Sequence, residues 1–161
     1  MKYLFLAGSS FLAIVAQMIA GNNFFLFNFV DLSLILIAYW AFYRNRTQAL
    51  FVGSLTGILL DAVLNWPLGY NGFGKTLAAF VIVEASRRID VEGAWIRFAL
   101  VGVSSCVSSL SMYILFWLLQ RTSSSIFLGA SLMQALITAG ISVLLFAVLD
   151  SYKNVYNRKI G

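Results

Sequence analysis

Apolar residues run through this chain in six long stretches, and short polar junctions separate one stretch from the next. The stretches predict six helices, at about residues 3–20, 24–43, 48–66, 73–86, 94–119 and 126–149. Five are long enough to cross the roughly 30 Å hydrocarbon core of a bilayer. The fourth rises only about 21 Å, so we expect it to be tucked among the others or re-entrant. The pattern predicts an all-α integral membrane protein, with residues 1–161 in a single polytopic domain.

Basic residues mark every second junction of the pattern. One set of junctions carries Lys2, Arg44, Arg46, Arg87, Arg88, Lys153, Arg158 and Lys159, and the other set carries only Arg121. By the positive-inside rule, the more basic set faces the cytoplasm. Both termini then lie in the cytoplasm and the number of spans is even, which agrees with six. The basic tail, residues 150–161, is expected to lie along the inner membrane surface.

The four tryptophans test these helix limits. Trp40 and Trp95 fall at predicted inner ends of helices, and Trp66 and Trp117 fall at predicted outer ends. Tryptophan is enriched at both membrane–water interfaces, where its ring lies at headgroup level. We therefore expect the tryptophans to form interfacial belts.

Composition narrows the function classes. Hydrophobic residues make up 61% of the chain and charged residues 11%, whereas soluble domains average about half and about a quarter. The net charge of +5 is spread over the junctions, which disfavours a nucleic-acid partner. There is no histidine, and Cys106 is the only cysteine, which excludes histidine acid–base chemistry, Cys/His metal sites and internal disulfides. The serines of helix 5 have no base to activate them, so we expect neither enzymatic activity nor a cofactor.

Helix 3 carries the most specific internal pattern, with Gly53, Gly57 and Asp61 spaced four residues apart. This spacing places the three residues on one face of a helix. Small residues on one face let a neighbouring backbone approach closely, so the face is predicted to be a helix-packing seam. A carboxylate at the depth of Asp61 costs at least about 2.5 kcal/mol unless it is paired, protonated or hydrated. Asp61 therefore needs a partner.

Lys75 on helix 4 enters the membrane from the same outer side as Asp61, and we expect the two to form an ion pair. The alternatives are a contact between Asp61 and a partner protein, or a site for a proton or a substrate. Asp31, seven residues into helix 2 from the outer side, lies at a similar depth. The three side chains would together line one outward-facing cavity.

Several of these residues form a pattern that resembles a known family. The pattern comprises Asp31, Tyr39, Trp40, Gly53, Gly57, Asp61, Pro67, Leu68, Gly69 and Asn71. Together with the chain length, the predicted spans and the basic tail, it resembles the bacterial rod shape-determining protein MreD family. The resemblance covers the whole chain, but its specific part lies within residues 31–71. Helices 5 and 6 match only as generic membrane helices.

The resemblance implies a non-enzymatic subunit of the machinery that builds the lateral cell wall, located in the bacterial cytoplasmic (inner) membrane. Such a subunit scaffolds or regulates peptidoglycan synthesis by binding the single-span protein MreC directly. The wider complex includes the actin-like MreB, the glycan polymerase RodA and a class B penicillin-binding protein. The residues of the pattern, together with Lys75, are then the expected interaction or intramembrane polar residues.

A second function follows from a likeness between that family and the six-helix substrate-binding subunits of energy-coupling-factor vitamin transporters. A small-molecule uptake subunit would bind its substrate in an outward cavity near Asp31, Asp61 and Lys75. Such subunits commonly carry an Ala-x-x-x-Ala motif in helix 1 for their coupling partner. Here Ala16 and Ala20 match that motif only weakly, at the outer end. The sequence therefore favours the elongation subunit.

Overall fold

The computed structural model describes residues 2–23, 29–91, 93–120 and 126–160, and these ranges form six α-helices without a strand. The helices are α1 (Lys2–Asn23), α2 (Leu32–Tyr43), α3 (Arg46–Val63), α4 (Tyr70–Ala85), α5 (Ala94–Gln120) and α6 (Ile126–Ile160). The prediction of an all-α chain is confirmed.

The second helix begins later than predicted. α2 starts at Leu32 because Asp31 caps it, with the Leu34 amide donating to Asp31 Oδ1 at 3.0 Å. A carboxylate in this position satisfies an amide that has no acceptor within the helix. Val30 and Asp31 are not helical, and residues 24–28 lie outside the described part of the chain. α2 therefore rises only about 18 Å, at 1.5 Å per residue.

The fourth and sixth helices are longer than predicted. α4 begins at Tyr70 rather than at residue 73, because Asp61 accepts hydrogen bonds from amides of its first turn. Its 16 residues still rise only about 24 Å. α6 continues as one helix of 35 residues to Ile160, so the predicted tail is helical up to that point. Side chains beyond Tyr152 lie outside the description, and the place of the tail on a membrane surface stays a prediction.

α2 lies at the centre of the fold and packs against each of the other helices. Around it the others follow in the order α1, α3, α4, α5, α6, each packed against the next. Within the described ranges, α1 and α6 do not contact each other, so this arc is open on one side. α2 carries no charged residue, as expected for a helix surrounded by protein, and Leu34, Ile37 and Ala38 are fully buried in the core.

Among the residues that the structure describes, two helices are long and apolar enough to cross a membrane, by length and composition. These segments are Ala94–Leu119 in α5 and Ser131–Tyr152 in α6. The apolar parts of α1 and α2, Phe5–Ile19 and Leu32–Tyr43, are shorter. The six predicted spans are therefore not confirmed, because the polar cap at Asp31 shortens α2 and because α4 is also short.

The tryptophans fall into two groups. Trp95 and Trp117 are 85% and 59% exposed, and Trp66 packs its ring edge-on against Phe116. Trp40 is only 5% exposed and so does not belong to an exposed belt. Its burial follows from the central position of α2, where the ring of Phe5 from α1 meets it at 6.2 Å.

Candidate functional site

Four polar residues meet where α2 begins, α3 ends and α4 begins, at what we call the Asp31 end of the bundle. Asp31, Asp61, Asn71 and Lys75 are each no more than 4% exposed. The sequence grouped three of them, and the structure does bring them to this one end. The prediction that they line an outward-facing cavity is wrong, because α2, α3 and α4 enclose their side chains.

Asp31 and Lys75 form a buried ion pair between α2 and α4. Lys75 Nζ contacts Asp31 Oδ2, and the two side chains are 4% and 5% exposed. The other carboxylate oxygen accepts hydrogen bonds from Ser33 Oγ at 2.6 Å and from the Leu34 amide at 3.0 Å. One carboxylate therefore caps α2 and also neutralises the only cation buried at this end within the described residues.

Thr138 connects the same corner to α6. Its Oγ1 accepts a hydrogen bond from the Asp31 amide at 3.0 Å and donates one to the Phe29 carbonyl at 3.4 Å. Thr138 is fully buried. Its hydroxyl within an apolar helix is the only sign of this role that the sequence offers. The non-helical segment before α2 is thus held by a side chain more than 100 residues away.

Asp61 acts as an acceptor for the turn that leads into α4. Its Oδ2 accepts from the Gly69 amide at 2.8 Å and from the Gly72 amide at 3.3 Å. Its Oδ1 accepts from the Asn71 amide at 3.0 Å and from Asn71 Nδ2 at 2.9 Å. A helix N-terminus presents amides without intrahelical acceptors and favours negative charge, so the carboxylate is stabilised without a cation.

The predicted pairing of Asp61 with Lys75 is therefore wrong. Asn71 and Lys75 lie one turn apart on α4, and each interacts with a different carboxylate. Asp61 accepts hydrogen bonds from amides of the first turn and from the Asn71 side chain. Asp31 forms an ion pair with the Lys75 ammonium in the second turn. The hydrogen bonds from backbone amides satisfy the Asp61 carboxylate, so it needs no side-chain cation.

The turn between α3 and α4 is held in an unusual backbone conformation. Asn65 has a φ of 54° and Gly69 a φ of 107°, both in the region that favours residues without a bulky β-carbon. The Trp66 amide donates to the Asp61 carbonyl at 3.0 Å. Pro67 lies exposed in the middle of this turn. Gly69 is thus required for the path of the chain, whereas Pro67 lies on the surface of the turn.

Gly53 and Gly57 form the predicted seam, and the helix that packs on it is α4. A β-carbon on Gly57 would lie 2.5 Å from the Asn71 carbonyl oxygen and from Gly72 Cα. A β-carbon on Gly53 would lie 2.9 Å from the Lys75 carbonyl oxygen. Since such distances are not sterically possible, both positions depend on glycine. This close approach is also what brings Asp61 within reach of the first turn of α4.

Tyr39 and Trp40 lie away from the polar residues, in the second half of α2. Their rings meet at 6.0 Å, and Tyr39 also stacks at a tilt on Tyr43 at 5.4 Å. Trp40 Nε1 is buried, and the described residues offer it no acceptor. The Arg44 guanidinium lies 5.9 Å from its ring. These two pattern residues therefore build aromatic packing and take no part in the Asp31 end.

A second polar cluster, which sequence reasoning missed, lies at the opposite end of α2, the Arg97 end. Arg97 forms an ion pair with Asp150 of α6 and donates from Nε to the Val91 carbonyl at 2.6 Å. The Tyr43 hydroxyl donates to Asp150 Oδ1 at 2.6 Å. The Arg97 guanidinium also lies 5.7 Å from the Phe146 ring. The cluster ties the end of α2 to α5 and α6.

These clusters use their donors and acceptors within the chain. Within the described ranges, no three histidine, cysteine, aspartate or glutamate side chains come close enough to hold a metal ion. Cys106 is exposed on α5, away from both clusters. The arrangement is suited to fixing helices relative to one another.

Comparisons with known proteins identify no relative: no family model, curated protein or solved structure matches the chain. The resemblance to the MreD family thus stays a prediction from individual residues.

Proposed function

We propose that this protein is a non-enzymatic membrane subunit of the bacterial cell-wall elongation complex, which scaffolds or regulates lateral peptidoglycan synthesis by binding MreC. One observation carries the proposal. The polar residues and glycines through which the chain resembles the MreD family form a closed framework of α2, α3 and α4. Its ion pair, Asp31 with Lys75, is enclosed, and Asp61 is fully buried.

The enclosed framework favours a scaffold over an uptake subunit. A binding site for a vitamin-sized molecule needs a concave pocket with a few polar groups that face into it. Here Lys75 and Asp31 are bound to each other, and Asp61 is bound to the start of α4. A substrate would have to displace those contacts and leave a buried charge behind, which is strongly unfavourable. The energy-coupling-factor alternative therefore has less support.

The proposal includes six spans, with both termini in the cytoplasm of a bacterium and the Asp31 end facing outward. Four exposed arginines lie on the Arg97 side: Arg44 follows α2, Arg46 begins α3, and Arg87 and Arg88 follow α4. The positive-inside rule assigns such a side to the cytoplasm. The short α2 fits this arrangement because the other five helices all pack against it. MreB, RodA and a class B penicillin-binding protein would join through the wider complex.

Copurification tests the proposed function. The tagged chain would be isolated from its own cells in mild detergent, and the retained proteins identified by mass spectrometry. We expect MreC and other elongation subunits. Retention of an ATPase module without those subunits would refute the proposal and favour the uptake alternative. A reporter that is active only outside the cytoplasm, fused after Gly161, should stay silent.

A further inference from the structure

The helix pair of α3 and α4 carries large apolar side chains on its outer side. Phe51 and Ile58 of α3 and Phe73 and Phe80 of α4 are each between 43% and 53% exposed. Within each helix the two residues are seven positions apart, which is close to two turns, so they lie on the same side of their helix. We call these four residues the α3–α4 face.

The antiparallel packing of the two helices places the four side chains in two rows. A β-carbon on Gly72 would lie 3.1 Å from Ile58 Cγ1, so Ile58 reaches over the first turn of α4, beside Phe73. Two turns away from this contact, toward the start of α3 and the end of α4, Phe51 and Phe80 are again level with each other. The α3–α4 face is therefore continuous along one side of the pair.

Two arginines are held at the Arg97 side of the α3–α4 face. Glu84 lies one turn beyond Phe80 on the same side of α4, and its carboxylate pairs with Arg87 at 3.3 Å and with Arg88 at 2.7 Å. The arginine side chains are 46% and 76% exposed. A guanidinium group has five N–H donors, and Glu84 accepts from one of Arg87 and two of Arg88. Donors therefore stay available on both groups.

Arg46 brings a third guanidinium group to the same place. It precedes Gly53 of the seam by seven residues, so it lies on the side of α3 that meets α4, close to the level of Glu84. Arg46 is exposed, and within the part of the chain that the structure describes it makes no ion pair. The three arginines outnumber the nearby carboxylates of Glu84 and Asp90. The apolar face thus ends in an excess of positive charge.

We propose that one anionic phospholipid binds here, with its phosphate at Arg46, Arg87 and Arg88 and an acyl chain along Phe80 and Phe51. This inference rests on the membrane location and orientation in the proposed function, but not on MreC. Guanidinium groups bind phosphate through paired N–H donors. Phe80 precedes Arg87 by seven residues, a rise of about 10 Å, so a headgroup and the first part of its acyl chain span this distance.

The combination of charge and apolar surface favours an anionic lipid over other ligands. Free phosphate or an acidic protein segment in the cytoplasm would contact the arginines but not the α3–α4 face, which lies at membrane depth in the proposed orientation. A neutral phospholipid carries a cation beside its phosphate, which the excess of arginines disfavours. Basic residues at the cytoplasmic boundary of a membrane attract anionic lipids. One anionic lipid molecule satisfies both parts of the site.

A lipid competition experiment tests the site. The full chain, purified in mild detergent, would be mixed with equal amounts of phosphatidylglycerol and phosphatidylcholine that have the same acyl chains. After gel filtration, the retained lipids are measured by mass spectrometry. We expect phosphatidylglycerol in excess by about fivefold or more. Equal retention of the two lipids would overturn the inference.

Arginine variants locate the binding. The combined change Arg46→Gln, Arg87→Gln and Arg88→Gln should bring the two lipids close to equal retention. Arg44→Gln is the matched control, since Arg44 is exposed on the same side of the bundle but lies against the Trp40 ring. It should keep the excess. An unchanged excess in the triple variant would contradict the site. If that variant fails to fold by gel filtration, Arg46→Gln alone, which breaks no ion pair, must lower the excess about twofold or more.

Two further measurements distinguish a lipid from a soluble anion. Glycerol 3-phosphate in large excess should not displace phosphatidylglycerol, because it lacks the acyl chains; displacement would assign the arginines to a soluble phosphate. Phe80→Ser should lower the retained phosphatidylglycerol about threefold or more, whereas Leu110→Ser on α5, equally exposed, should not. No loss from Phe80→Ser would overturn the role of the face. Copurification of MreC is a separate measurement, so the proposed function stands or fails independently.

Discussion

The two ends of the bundle both hold an ion pair between helices, but in different surroundings. At the Asp31 end, the side chains of Lys75 and Asp31 are 4% and 5% exposed; at the Arg97 end, those of Arg97 and Asp150 are 10% and 35% exposed. Removing one partner of an enclosed pair strands a charge and costs about 3–5 kcal/mol, whereas more exposed pairs contribute about 0–1 kcal/mol. The two ion pairs are therefore expected to contribute unequally to the stability of the fold.

The closeness of helix packing also differs between the two helix pairs. At the Asp31 end, α3 and α4 touch through Gly57, with no room for a β-carbon. Between α5 and α6, which the Arg97 ion pair joins, Gly102 is less crowded, because an added β-carbon would meet Ala139 at an ordinary 3.7 Å. The seam between α3 and α4 is therefore sterically more restricted than the packing of α5 on α6 at Gly102.

The largest effect is expected from Gly57→Leu. The new side chain would start 2.5 Å from the backbone of Asn71 and Gly72, so α4 must move away and release the hydrogen bonds of Asp61. We expect loss of the folded chain from detergent extracts, measured by fluorescence-detected gel filtration. Gly140→Leu is the control, because nothing lies within 4 Å of a β-carbon there. Equal yields for the two variants would contradict the close packing at the Asp31 end.

The buried ion pair gives the next effect in size. Asp31→Asn strands the Lys75 ammonium and should destabilise the fold by about 3–5 kcal/mol. Adding Lys75→Met should recover part of the loss, because the unpaired charge is then gone. The measurement is a thermal or denaturant melt in detergent of the two single variants and the double variant. A loss for the double variant equal to the sum of the single losses would show that the pair does not form.

Asp61→Asn sharpens the distinction between the two carboxylates. An asparagine amide keeps one acceptor oxygen but turns an NH₂ group toward the amides of Gly69 and Gly72. Leaving buried donors unsatisfied costs about 1–3 kcal/mol. A lower melting temperature is therefore expected. Combined with Lys75→Met, the two losses should add, because Asp61 and Lys75 share no contact; a coupling above about 0.5 kcal/mol would contradict this.

These variants also show which parts of the structure the sequence could predict. The four-residue spacing of Gly53, Gly57 and Asp61 was sufficient to predict a close helix seam, since it follows from helix geometry alone. The choice of partner for Asp61 was not predictable in the same way. It depends on a turn in which Asn65 and Gly69 take positive φ values and direct the first amides of α4 toward the carboxylate. Neither spacing nor charge encodes that path.

The Arg97 end and the start of α2 were missed for related reasons. Arg97 and Asp150 are 53 residues apart, and each lies near the end of an apolar helix, where a charge is ordinary. Their pairing depends on α5 and α6 packing side by side.

The first residues of the predicted second helix are apolar, so the apolar stretch predicted a helix from residue 24. In the structure the capping carboxylate of Asp31 begins the helix at Leu32. A local polar interaction overrode the hydrophobic pattern.

The smallest effects are expected at the Arg97 end. Tyr43→Phe removes one hydrogen bond to Asp150, which is 35% exposed in its side chain, and should cost about 1 kcal/mol or less. For a chain of this size, that corresponds to a fall in melting temperature of roughly 2–4 °C.

High salt should diminish the loss of stability caused by Arg97→Met, because partly exposed charges are screened, but it should hardly change the loss of stability caused by Asp31→Asn. The test is a melt of each variant at low and high salt. If Arg97→Met proves as destabilising as Asp31→Asn and equally insensitive to salt, the two ends are equivalent, and the contrast between an enclosed and a more exposed ion pair does not hold.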